Sequence, residues 1–293
     1  MYLPDPLTHQ SHILLQGISP LTQASLGLMQ AYGTSIAAVV EVGQGGQTWQ
    51  ELPVFDLVEQ ATAALGTINT SIVFVPPDQV ADAALEAIAA GIRQVVLVPD
   101  DVPPLDTLKI IRAARATGTV VLGAGSSGLI VPDRFLLGTL KPQCYQAGRV
   151  GIIARTSPYL SEAIAWELTQ AGLGQSAVVH LGMGNILGST FADWLPLFVK
   201  NEDTHAIVLL EQHLLGNDTA NGCLSIERHK PIFAYVAGQR LPSPATLLPT
   251  VNTLPHTSTA TQKLTHYQNA DIRVARSPRQ LVEWLRLALN NSG

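Results

Sequence analysis

The chain has 293 residues, 46% of them apolar and only 13% charged, with a mean hydropathy of +0.23. Soluble domains carry about 25% charge, so this composition excludes a disordered chain, supplies two sizeable cores and leaves surface for a partner to cover. A net charge of −5 without a Lys/Arg cluster excludes nucleic acid as the main ligand.

Cys144 and Cys223, the two cysteines, are too few for a disulfide framework and fit a reducing compartment. No apolar run reaches the roughly 18 residues that a membrane span needs. Met1–Gln10 lacks the basic-then-apolar pattern of a signal peptide. The expectation is a cytoplasmic protein without a membrane partner.

In chain order, His12–Gln16 reads as a strand, turning at Gly17 into a helix that runs through Leu26–Tyr32. Ile36–Val40 is a second strand, followed by Gly43-Gln44-Gly45-Gly46. Ser71–Val75 is a third, closed by Pro76-Pro77. Across Gln79–Gly91, Val80, Ala83, Ala84, Ala87 and Ile88 recur at helical spacing. Gln94–Val98 and Thr119–Leu122 complete five strands. Continuous apolar strands alternating with helices predict a parallel sheet covered on both faces, an α/β domain of the Rossmann-like kind. Gly123–Gly148 reads as loop. The βα rhythm then restarts at Val150–Ala154 and continues through Ala177–Leu181, Ala206–Leu210, Pro231–Tyr235 and Ile272–Val274. Gly238–Thr261, rich in Pro and Thr, predicts no regular structure, and loops of that length are commonly functional. Pro278–Leu289 predicts a closing helix with Leu281, Trp284, Leu285, Ala288 and Leu289 inward. The domain boundary falls near Lys141–Gly148.

Two helix starts suit an anion. Gly17-Ile18-Ser19-Pro20-Leu21-Thr22 occupies the phosphate turn of a Rossmann-like unit but lacks the second glycine of G-x-G-x-x-G. Ser19 serves there as an N-cap, with or without a phosphate. Thr156-Ser157-Pro158 is the second, with Ser157 as cap and Pro158 at the first helical position. The eight histidines show no metal-ligand spacing. His256 in the long loop, and after it His213, stand in the settings most open to catalysis, beside the plainer reading of structural histidines.

The order of motifs resembles the α subunit of succinyl-CoA synthetase over nearly the whole chain. The matching stretches are Gln30–Thr34, Gly43–Gly46, Leu52–Phe55, Phe74–Pro77, Leu85–Ile92, Arg149–Glu162, Gly188–Asp193 and Tyr235–Gly238. The resemblance implies a Rossmann-like CoA-binding domain over 1–143 followed by a flavodoxin-like ligase domain over 144–293. It implies coenzyme A as ligand and an ATP-grasp-type β subunit as partner, with self-association as the alternative. Mg-nucleotide would enter only through the β subunit, and a histidine would ferry phosphate. By position, Ser19, Gln44, Val75, Pro76 and Ser126 fall on the CoA side and Ser157 on the phosphate side.

The functional positions depart from the family pattern. The turn T-G-x-Q-G becomes Ser19-Pro20-Leu21-Thr22-Gln23, and Pro20 removes a backbone donor. The lysine of P-x-K-G-G falls on Gln44. The loop G-P-N-x-x-G becomes Gly123-Ala124-Gly125-Ser126-Ser127-Gly128, and the helix start S-G-T becomes Thr156-Ser157-Pro158. The acid beside the histidine falls on Gln212, with Glu211 one place away. Counting from Ala237-Gly238 and Pro242 puts Pro249 at the phosphohistidine; counting back from Thr259-Ala260 and Lys263 puts Leu248 there. Neither can be phosphorylated, and His256 lies further along the same loop. Two readings stand: a catalytically reduced α-type subunit that keeps its fold and subunit-binding role, or an active NDP-forming acyl-CoA synthetase α subunit making succinyl-CoA through a relocated phosphohistidine, His256.

Overall fold

The structure, a computed structural model, describes residues 12–212, 229–238 and 260–290. They fall into two compact units. The first takes residues up to Gln143 together with His180–Ser189, and the second takes Cys144–Val179 and the described residues from Thr190 onward.

The first unit opens with β1 (Ile13–Gln16), α1 (Pro20–Ala31), β2 (Ile36–Val40), β3 (Thr48–Trp49), β4 (Leu52–Phe55) and α2 (Val58–Leu65). It continues with β5 (Thr70–Val73), α3 (Val80–Ala89), β6 (Gln94–Leu97), α4 (Pro104–Thr117), β7 (Val120–Leu122), β8 (Gly128–Val131) and β9 (Phe135–Gly138). Its sheet runs β3-β4-β2-β1-β5-β6-β7, and every pair is parallel except β3 with β4. Taken in sequence, the six parallel strands have the order 3-2-1-4-5-6, the doubly wound arrangement. Leu14, Val73, Val95 and Leu97 pack against Val58, Val80, Ala84, Ile88 and Ile110 of α2, α3 and α4. Burying strands on both faces explains why they read as unbroken apolar runs.

Two expectations are corrected here. The sheet has seven strands rather than five, because β3 and β4 form a hairpin that Pro53 disguises. Proline is tolerated at that position because the ladder with β2 begins at Val54, and it is Val54 N, not residue 53, that donates to the Gln47 carbonyl beside β3. Gly123–Gly148 is not all loop: β8 and β9 form a fully buried antiparallel hairpin, with Leu129 opposite Leu137 and Ile130 opposite Leu136. Each of the two runs is only four residues long, and turn-forming residues flank them, which hid the pattern.

The second unit contains β10 (Ala147–Arg155), α5 (Pro158–Gln170), β11 (Gln175–His180, of which the last residue belongs to the first unit), α6 (Phe191–Lys200) and β12 (Ala206–Gln212). It ends with β13 (Ile232–Ala237), α7 (Ala260–Asn269), β14 (Arg273–Ala275) and α8 (Pro278–Asn290). These strands run β14-β13-β12-β10-β11, with β10, β12, β13 and β14 paired in parallel. In sequence terms the order is 2-1-3-4-5, which is flavodoxin-like. Leu281 and Leu285 of α8 are buried as expected, whereas Trp284 is half-buried beneath the Arg273 guanidinium, 3.9 Å from its ring centre.

Gly17 is the backbone position on which the first unit turns. Its φ is +94°, and a Cβ there would lie 2.9 Å from Val75 Cγ1 and 3.0 Å from Val75 N. Both the left-handed conformation and the close approach exclude a side chain. Gly17→Ala is expected to cost about 2 kcal/mol or more. A chemical-denaturation midpoint unchanged from the parent chain would contradict this.

Candidate functional site

In doubly wound sheets, ligands bind outside the carboxyl ends of the strands where the strand order reverses. The first unit reverses between β1 and β5, and the turn there is built by four hydrogen bonds. Gly17 N donates to the Val40 carbonyl at 2.9 Å, which ties the end of β1 to the end of β2. Ser19 is the N-cap of α1: its Oγ accepts from Thr22 N at 3.1 Å and lies 2.8 Å from the Thr22 hydroxyl. Thr22 in turn donates to the Gly17 carbonyl at 2.9 Å. Val75, just past β5 and followed by Pro76, lies against the same turn through the Gly17–Val75 approach. The structure therefore brings Ser19 and Val75 together at one strand edge.

Two carboxylates lie at this edge that the sequence reading did not single out. Glu41, directly after β2, accepts from Ile18 N at 2.6 Å with Oε2. Asp56, directly after β4, accepts from Gly43 N at 2.7 Å and Gly45 N at 3.0 Å with Oδ1. A side chain on Gly45 would overlap the Asp56 carboxylate, so the loop carrying Gln44 closes tightly over that group. Amides that a phosphate would use are thereby turned onto the chain's own acids.

Ser126 is placed differently. It is 1% exposed, its hydroxyl donates to the His180 carbonyl at 2.5 Å and it accepts from Gly128 N at 2.9 Å. Ser127 N donates to His180 Nδ1 at 3.0 Å, so the proton on that ring sits at Nε2. The Ser126 side chain thus fastens a loop. Beside it, a cavity of about 370 Å³ is lined by Asp100, Asp101, Val102, Ala124, Met183 and Asn185, among others.

The second unit reverses between β10 and β12. Ser157 caps α5, accepting from Leu160 N at 3.4 Å, with Pro158 at the first helical position. Its own N–H and the Thr156 hydroxyl point to Gln212 Oε1, each at 3.4 Å. Arg155 stands opposite Glu211 in the strand register. Glu211 is wholly buried, taking Lys263 Nζ at 2.5 Å and the Tyr267 hydroxyl at 3.0 Å. Lys263 also donates to the Gln212 carbonyl at 2.9 Å. Burial pushes the Glu211 carboxyl above its ordinary range, while the Lys263 charge, the Lys263 and Tyr267 hydrogen bonds and the Arg155 charge pull the other way.

Lys263, Tyr267 and Arg155 were not anticipated as members of a site. The available signal was the Lys263-x-x-x-Tyr267 spacing, which places both on one helical face. His256, His213, Leu248 and Pro249 lie outside the described residues. Among the described residues no group of three or more His, Cys, Asp or Glu could hold a metal ion, and no helix is long and apolar enough to cross a membrane.

Residues 8–100 match the CoA-binding-domain family. The chain is 34% identical to succinate–CoA ligase [ADP-forming] subunit alpha 2 of Archaeoglobus fulgidus, over 87% of this chain and 88% of that one. It is also 34% identical to the malate–CoA ligase subunit alpha of Methylorubrum extorquens, over 73% of each. Among solved structures, ATP citrate lyase of Methanosaeta concilii in complex with (3S)-citryl-CoA superposes with a TM-score of 0.81 at 19% identity. That match covers 96% of this chain and 50% of the lyase chain, and the likeness is one of fold. The chain belongs to the family of succinate–CoA ligase α subunits.

The buried ion pair gives a direct test. Lys263→Met removes the cation paired with the buried Glu211, leaving only the Tyr267 hydroxyl and the Arg155 charge to favour the carboxylate, and is expected to cost about 3–5 kcal/mol at neutral pH. A carboxyl whose folded pKa is raised contributes stability that is fully present below its ordinary value of 4.5. That contribution is lost as pH rises through the folded value. The penalty of Lys263→Met therefore shrinks from pH 8 to pH 5, and denaturation curves at the two pH values check the sign.

Proposed function

We propose that this chain is the α-type subunit of an acyl-CoA ligase of the succinate class in which the phosphohistidine route has been reduced. Its domains are a CoA-binding-type unit over 1–143 and a ligase-type unit over 144–293. It works beside an ATP-grasp-type β subunit, through which Mg-nucleotide enters, and its retained task is subunit binding with a weakened hold on coenzyme A.

The observation that carries this reading is the commitment of Glu211. A phosphohistidine relay needs a free carboxylate to orient the imidazole, placed to near-ångström precision. The family acid falls on Gln212, a neutral amide whose oxygen faces the start of α5. The neighbouring carboxylate, Glu211, is held at full burial by Lys263 and Tyr267. Leu248 or Pro249 at the aligned histidine position points the same way. So does the CoA edge, where Gln44 replaces a lysine and the Gly43 and Gly45 amides already hold Asp56. The residues at that edge fit the apolar arm of coenzyme A along Val75 and Pro76 better than they fit its phosphates.

The test is phosphorylation of the purified chain mixed with an ATP-grasp β-type subunit, ATP and magnesium, read by intact mass and acid lability. No phosphate gain, with a stable complex formed, is the expected result. An acid-labile phosphate lost in His256→Ala would overturn the reduced reading in favour of an active synthetase with a relocated nucleophile. Pro249→His alone is expected to leave turnover at background, because Pro20, Gln44 and Ser157 also depart from the pattern. Measurable acyl-CoA formation by that single variant would sink the proposal.

A further inference from the structure

The position of Glu41 bears on which ligand the first unit accepts. In doubly wound nucleotide-binding units, the acid that receives the ribose hydroxyls stands at the carboxyl end of the second strand, about 20 residues beyond the glycine turn. Glu41 follows the last residue of β2 and lies 24 residues beyond Gly17. Its contact with Ile18 N at 2.6 Å holds the carboxylate at the turn itself. Oε2 makes that contact, and a carboxylate has two oxygens with room for four hydrogen bonds, so Oε1 can accept from a diol while the turn stays closed.

The surroundings reinforce one sign of charge. The four segments around this edge, 17–23, 40–47, 53–58 and 74–80, carry Glu41, Asp56 and Asp78 and no Lys, Arg or His. The 43–46 loop offers Asp56 rather than a ligand two of its amides, those of Gly43 and Gly45. A free ribose diol donates to carboxylates and gains charge-assisted hydrogen bonds here. A phosphate on the same ribose is itself an acceptor with about two negative charges, and these four segments set Glu41, Asp56 and Asp78 against it with no cationic side chain.

We infer that the first unit selects a nucleotide-headed ligand whose ribose hydroxyls are free, with Glu41 as their acceptor, and discriminates against one whose ribose carries a phosphate. Coenzyme A belongs to the second class. The inference rests on the CoA-binding-type unit of the proposed function and narrows its ligand. Glu41 is a specificity-determining residue, and Asp56 assists by withdrawing the loop amides.

The test compares coenzyme A with dephospho-coenzyme A, which is the same molecule without the ribose phosphate, by titration calorimetry on the full chain. The unphosphorylated form is expected to bind at least tenfold more tightly. Glu41→Gln, which keeps an acceptor for Ile18 N, is expected to narrow the ratio below about threefold, and Glu41→Lys to reverse it. Raising the salt from 50 to 500 mM is expected to narrow the wild-type ratio, since screening weakens repulsion between exposed charges. That arm needs no variant and stands even if the substituted chains fail to fold. Equal or tighter binding of coenzyme A by the wild-type chain overturns this inference and leaves the CoA-type reading intact. Binding of neither compound at millimolar concentration overturns both. A ratio that both folded variants leave unchanged removes Glu41 from the account.

Discussion

A parallel sheet covered on both faces leaves its strand ends as the place where polar chemistry can meet water. This constraint organises both units. The strand interiors, such as Ile13–Leu15, Val95–Leu97 and Ile152–Ala154, are apolar and buried. The charged and hydrogen-bonding groups collect where β1, β2 and β4 end in one unit and where β10 and β12 end in the other. The sheet orders 3-2-1-4-5-6 and 2-1-3-4-5 fix which ends diverge enough to admit a ligand. Sites and folds are thus two aspects of one packing rule.

At both ends the chain answers its own electrostatic demand. Helix starts and glycine loops present unpaired N–H groups that favour an anion. In the first unit, Glu41 and Asp56 supply it. In the second, the Gln212 side-chain oxygen faces the start of α5, and the fully buried Glu211 carboxylate is matched by Lys263. A buried pair of this kind is weak evidence for stability, because desolvating two ions offsets most of their attraction. Its stronger effect is positional: it fixes α7 against β12.

The strands of both sheets were legible where short runs carry no charged or polar residue, as in Ile36–Val40, Val150–Ala154 and Ala206–Leu210. The N-caps Ser19 and Ser157 were legible because capping is a local rule with a local signature. What escaped was of two kinds. Short elements interrupted by proline or flanked by glycine, β3–β4 and β8–β9, give too few residues for a period to emerge. Pairings distant in sequence leave no local trace: Glu41 reaches Ile18 across 23 positions and Lys263 reaches Glu211 across 52. Alignment to the family pattern located Gln44 and Gln212 as departures and Glu211 as the neighbouring acid, but the roles of Glu41 and Asp56 and the partners of Glu211 became visible only with the chain folded.

The shielding of the Glu211–Lys263 pair has a consequence for how the protein responds to its medium. Screening by dissolved ions acts through bulk water, over about 8–10 Å at physiological ionic strength, and groups that are 0% and 1% exposed are shielded from that solvent. Dissolved electrolyte therefore leaves this latch untouched, while it weakens solvent-facing pairs such as Lys109–Asp106. In a chain with so few surface charges, brine acts on the fold mainly by changing the cohesion of the solvent around apolar surface. The seat of α7 on β12 is thereby set by a contact that ionic strength does not reach.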